Sequence, residues 1–139
     1  MIRLLLASHG KLAEGIYSSL KIIMGEQNNI ETLCAYMEEE FNLKKEISDR
    51  LNDLSDGDKL IVVTDIFGGS VNNEFMNNLN RKNLYLISGL NLPLVMELIN
   101  VSDENDIEEK IMEALENSKK SIQYCNLIMK LANIEEDSF

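Results

Sequence analysis

The chain has 139 residues, enough for one domain that buries a core. Hydrophobic residues make up 45% and charged residues 27%, the balance of a globular protein and neither a disordered nor a membrane-spanning one. A net charge of −11 leaves no electrostatic footprint for nucleic acid or an anionic membrane surface; it suits a basic protein partner or serves solubility alone.

Cys34 and Cys125 lie far apart and form no metal-spaced pair. With a single histidine there is no Cys/His zinc site, and two isolated cysteines read as free thiols in a reducing cytoplasm. The short apolar run after Arg3 is interrupted by His9-Gly10-Lys11 before it reaches signal-peptide length, and no run approaches a transmembrane helix.

Taken in order, Met1 to Ala7 reads as a strand buried on both faces. It stops at Ser8-His9-Gly10. Lys11 to Met24 follows as a helix with Leu12, Ile16, Leu20 and Ile23 as its apolar stripe and Gly25 as its C-cap. Ile30 to Tyr36 reads as a second strand. The acidic run Glu38-Glu39-Glu40 is expected to open a second helix, where negative charge suits the dipole, with Leu43, Ile47, Leu51 and Leu54 facing inward. Lys59 to Asp65 is the clearest strand, apolar and β-branched. A third helix is expected from about Val71 to Leu79, a fourth strand over Asn83 to Ser88, and a short helix to about Ile99. Residues 103–120 read as a long helix with Ile107, Ile111, Ala114 and Leu115 on one face and Ser102 or Asp103 as cap. Beyond it, Ile122 to Cys125 reads as a strand or as irregular chain. Leu127 to Ile134 reads as a helix or as an extension of that strand, and the acidic end reads as a frayed tail.

Strands alternating with helices predict one α/β domain over residues 1–139: a mainly parallel four-stranded sheet flanked by helices, core about 1–125, tail 126–139. The loops at His9, Asp65 and Gly89 would then open at the carboxyl edge of that sheet, where ligands bind.

His9 has the side chain whose ordinary pKa lies closest to neutrality, so it can act as proton shuttle, metal ligand or nucleophile. A loop histidine capping the next helix is the alternative. Asp65, at the end of a buried strand, either caps a turn or accepts a hydrogen bond from the His9 ring, fixing the tautomer and leaving the other nitrogen free. Gly68-Gly69-Ser70 precedes a helix, where tight backbone and free N–H groups suit an anion and the serine hydroxyl adds a donor or serves as N-cap. No lysine follows at Walker A spacing. Together these residues point to a histidine that is itself phosphorylated, its phosphoryl oxygens held by backbone N–H groups and Ser70, with no metal or cofactor expected. Gly10, Phe67, Asn91 and Leu92 are candidates for the site wall; for Phe67 and Leu92 a core role is the alternative.

Three stretches then carry a resemblance: Ser8-His9-Gly10 with Leu12-Ala13, Thr64-Asp65-Ile66-Phe67-Gly68-Gly69-Ser70, and Ser88-Gly89-Leu90-Asn91-Leu92-Pro93. In order and spacing, over about residues 1–120, they resemble the enzyme IIA component of the mannose family of the bacterial phosphoenolpyruvate-dependent sugar phosphotransferase system. The resemblance implies that His9 receives a phosphoryl group from phospho-HPr and passes it to a IIB component. It implies that Asp65 holds the ring, and that Ser70 with the loop amides around Gly68 and Gly69 steadies the group. It implies a cytoplasmic homodimer with a C-terminal strand, drawn from Ser121 to Ile128, exchanged between subunits. Since the chain stops at Phe139, IIB is expected as a separate chain, and the membrane IIC and IID components are met only indirectly, through the transporter complex. Val71 stands where the family usually has proline; valine can take that first helical position. The transported sugar is left open. Two alternatives stand beside this reading: a IIA-like phosphoryl-transfer subunit of dihydroxyacetone kinase, and a flavodoxin-like regulatory module with no covalent chemistry.

Overall fold

The computed structural model describes every residue except Asp103, Ser138 and Phe139. Four strands form one parallel sheet: β1 (Ile2–His9), β2 (Ile30–Ala35), β3 (Lys59–Thr64) and β4 (Leu84–Ser88), in the order β2-β1-β3-β4. The helices are α1 (Leu12–Met24), α2 (Leu43–Asn52), α3 (Ser70–Met76), α4 (Leu92–Leu98), α5 (Ile107–Lys119) and α6 (Cys125–Asp137).

The strands are apolar at successive positions because both faces are covered. On β1, Leu4 and Leu6 point into one core with α1, α4 and α5, which contribute Leu20, Leu94 and Ile111 among others. Leu5 and Ala7 point into the other, against Ile47 and Leu51 of α2 and Val71 and Phe75 of α3. Right-handed crossovers explain the division. The chain moves outward from β1 to β2 in one direction and from β3 to β4 in the other, so α1 and α3 fall on opposite faces. The reversal between β1 and β3 opens a crevice at their carboxyl ends, and His9 and Asp65 lie there.

Several boundaries differ from the sequence expectation. The buried face of α1 is Ala13, Ile16, Tyr17 and Leu20, while Leu12 and Ile23 are exposed. This is a rotation by one position, and it puts the smallest side chain where the helix leaves the sheet. Glu38-Glu39-Glu40 lies in a bend before α2, whose cap is Asn42: its side chain accepts the Lys45 N–H at 3.1 Å. α3 ends at Met76, where the backbone tightens into i→i−3 bonds from Asn78 and Leu79. α5 starts at Ile107 after a single 3₁₀ turn, Glu104–Asp106; of the expected caps, Asp103 lies outside the described residues. Residues 121–124 form no strand, and the C-terminal segment is α6. Leucine, methionine, alanine, lysine and glutamate dominate it, all good helix formers, and it lacks strand alternation. The expected C-terminal strand, and with it the segment to be exchanged, is thus a helix preceded by irregular chain. No helix among the described residues is long and apolar enough to cross a membrane.

Candidate functional site

The site begins with the parity of β1. Ser8 and His9 are its last two residues and project to opposite faces. Ser8 is fully buried; its Oγ accepts the Ala13 N–H (2.8 Å) and donates to the Gly10 carbonyl (3.0 Å). Ser8 therefore caps α1, which leaves His9 free of that task. Gly10 has φ 60°, a left-handed turn that swings the chain from strand to helix, and its N–H bonds the Ala35 carbonyl at 2.9 Å.

Asp65 follows β3, the strand beside β1, so its carboxylate meets His9 directly. Oδ2 accepts both the His9 backbone N–H and the ring Nδ1, each at 2.8 Å. Oδ1 accepts the Ile66 N–H at 3.0 Å. The His9 side chain is 43% exposed and the Asp65 side chain 11%, so the ring is anchored from below and open above. Burial pushes the Asp65 carboxyl up. The backbone and ring hydrogen bonds from His9, the ring's charge and a backbone N–H of its own turn outweigh it, and hold the pKa below the ordinary carboxylate value. An ionised carboxylate only accepts, so Nδ1 carries a hydrogen, and in the neutral ring Nε2 then presents a lone pair.

Nε2 faces Ser70, the first residue of α3, with Oγ 3.2 Å away. The two glycines before it do different things. Gly68 has φ 82°, a backbone turn that glycine makes without strain. Gly69 has ordinary dihedrals but no room: a Cβ there would lie 2.7 Å from Ile66 Cγ2 and 3.3 Å from His9 Cε1. Its N–H bonds the Ile66 carbonyl at 3.2 Å, and Asn73 Nδ2 bonds the Gly68 carbonyl at 3.1 Å, which closes the loop onto α3. Below it, Thr64 Oγ1 donates to Asn72 Oδ1 at 2.7 Å, a buried bond tying the end of β3 to the start of α3.

The other candidates divide. Phe67 is 78% exposed, so it stands on the rim and not in the core. Asn91 caps α4: its Oδ1 accepts the Leu94 N–H at 2.9 Å and its Nδ2 donates to the Gly89 carbonyl at 3.2 Å. Leu92 packs against the core on the α1 face. Tyr36, one residue past β2 and expected from the sequence only as a strand end, is a site residue: its hydroxyl is 2.8 Å from Ser70 Oγ and its ring lies 5.5 Å from that of His9. The signal was available: every residue just beyond a strand's carboxyl end borders this edge. Among the described residues, no three His, Cys, Asp or Glu side chains come together as a metal site.

Sheet order and site define a flavodoxin-like α/β protein with an aspartate-anchored histidine at its switch point. The family model EIIA-man, described as PTS system fructose IIA component, matches residues 3–116, and the chain belongs to this family of sugar phosphotransferase system IIA components. A solved structure of a candidate phosphoenolpyruvate-dependent sugar phosphotransferase system permease from Klebsiella pneumoniae is 47% identical, covers 92% of this chain and 93% of its own, and superposes with a TM-score of 0.88. The IIA protein associated with the fucose utilization operon of Streptococcus pneumoniae is 28% identical over 92% of this chain and 96% of its own, TM-score 0.74. The fructose-specific EIIA component of Bacillus subtilis is 23% identical over 91% of this chain and 88% of its own length.

Proposed function

We propose that this chain is a phosphoryl carrier in which His9 Nε2 accepts a phosphoryl group from phospho-HPr and passes it to a IIB component. One observation carries the reading: Asp65 Oδ2 holds Nδ1 at 2.8 Å, which leaves Nε2 as the nucleophile on the open side of the ring. The Nε2 lone pair forms the new bond to phosphorus. The bond from phosphorus to HPr breaks, and its electron pair returns to HPr. No proton need move. Nδ1 keeps its hydrogen, and the positive charge that develops on the ring lies against the Asp65 carboxylate. Ser70 Oγ, 3.2 Å from Nε2, would donate to the phosphoryl oxygens, with backbone N–H groups at the start of α3 as further donors. Onward transfer to IIB reverses these steps.

A carrier needs an open reactive atom and two protein partners in turn. The exposure of His9 and the rim position of Phe67 fit that need. Neither a cofactor nor a metal is part of the scheme. The membrane components IIC and IID are proposed as indirect partners, the working form as a homodimer and the cytoplasm as its place. Incubation with enzyme I, HPr and phosphoenolpyruvate, read by intact mass, tests the reading. Wild type is expected to gain one acid-labile phosphoryl group and His9→Ala none. A folded wild type that gains nothing from a cognate HPr would overturn it.

A further inference from the structure

Tyr36 touches the site but is neither nucleophile nor anchor. It is also the one non-glycine residue with positive φ among the described residues, at 64°. A bulky side chain rarely adopts that conformation, and strain of this kind collects where a side chain must be aimed. Sheet order explains the aim. β2 pairs with β1 so that Ala35 lies opposite His9, and the next residue must turn sharply to reach across the strand ends. Its ring is then held by the rings of His9 and Phe41, each with its centroid 5.5 Å away.

Counting protons gives the hydrogen bonds a direction. In the neutral ring, the form that can act as nucleophile, Nδ1–H is committed to the Asp65 carboxylate, so Nε2 can only accept. The Ser70 hydroxyl, 3.2 Å from Nε2, has one hydrogen and must donate it there. It cannot also donate to Tyr36, so the 2.8 Å contact between the two hydroxyls runs from Tyr36 to Ser70. We infer that Tyr36 is a positioning residue: its hydroxyl locks the Ser70 rotor so that Ser70 points its proton at His9 Nε2. The inference rests on the carrier reading of His9 and extends it to a fourth residue. Once Nε2 carries a phosphoryl group it has no lone pair, and the Ser70 proton turns to a phosphoryl oxygen. The Tyr36 bond keeps the Ser70 oxygen in place through that change.

The test is a double-mutant cycle of Tyr36→Phe and Ser70→Ala, chosen because phenylalanine keeps the ring contacts. Two readouts are taken: the rate of phosphorylation by phospho-HPr, and the ¹⁵N resonances of the His9 ring without phosphorylation. Tyr36→Phe is expected to slow transfer about 3- to 10-fold, the size of one hydrogen bond, and to have no effect in the Ser70→Ala background. It is expected to move the Nε2 resonance in the same direction as Ser70→Ala does, with Nδ1 unmoved. An equal rate loss in both backgrounds would mean that Tyr36 acts through its ring or backbone, and would overturn the inference. So would a His9 Nε2 resonance unchanged by Tyr36→Phe. A wild type that takes no phosphoryl group would sink the carrier reading; the ¹⁵N comparison would still decide for or against the hydrogen-bond chain.

Discussion

Asp65 makes two bonds to His9 with one oxygen, and that doubles its job. The bond to the backbone N–H fixes where the histidine sits; the bond to Nδ1 fixes how its ring faces. Asp65→Asn is expected to slow phosphorylation of His9 by about 10²-fold or more, because the amide cannot balance charge on the ring. It also changes the acid limb of stability. The folded pKa of Asp65 is lowered, so the native state binds this proton less readily than the unfolded chain. Its stabilising contribution is present above the ordinary carboxylate range and fades as pH falls through the lower, folded value. The melting-temperature gap between wild type and Asp65→Asn should therefore be full at neutral pH and close below about pH 4. A gap that widens on acidification would contradict this sign. Gly69 makes the complementary case, since it matters through the space it leaves. In Gly69→Ala the new methyl must displace Ile66 Cγ2 and crowd His9 Cε1. Transfer is expected to fall about 10-fold through misplacement of the ring. Removing the Ile66 side chain in the same molecule should restore part of it, measurable in the same phosphorylation assay.

Among the elements, α3 decides the site's accuracy. It is only seven residues long, too short to hold its place alone, so its start is pinned by the Thr64–Asn72 bond and by Val71 and Phe75 in the core. Thr64→Val keeps the shape but strands the buried Asn72 oxygen. A loss of about 1–3 kcal/mol is expected in urea unfolding, where an exposed polar pair would cost far less. Elements of this kind were legible in the sequence wherever a local pattern specified them. The apolar runs of β1 and β3, the Gly68-Gly69-Ser70 turn and the stripe of α2 each carry their own signal. The misreadings lie where a tertiary neighbour chose. α1 has apolar residues around most of its circumference, and only the sheet determines that Ala13 and Tyr17 face inward while Leu12 and Ile23 do not. The triple glutamate suits a helix start in isolation, but Asn42 offers the better cap. Tyr36 was read as the end of a strand because its positive φ and its reach to Ser70 depend on β2 lying beside β1, a fact of sheet order.

At the scale of the whole molecule, sheet order converts scattered residues into one face. His9, Tyr36, Asp65 and Ser70 come from the ends of three strands and the start of one helix, and the reversal between β1 and β3 leaves that edge uncovered. Phe67 stands on its rim, 78% exposed, on the loop that also carries Gly68 and Gly69. A large aromatic side chain held in solvent beside a reactive histidine gains nothing for folding, whereas a desolvated aromatic anchor is worth a great deal to a protein partner. Phe67→Ala should therefore leave the melting temperature within a degree or so, because an exposed side chain contributes little to stability. It should raise the KM for phospho-HPr by about 10-fold while leaving kcat close to wild type, the signature of lost docking and not of lost chemistry. A fall in kcat with KM unchanged would instead place Phe67 in the transfer step itself. A drop of many degrees in melting temperature would mean that the rim residue supports the fold.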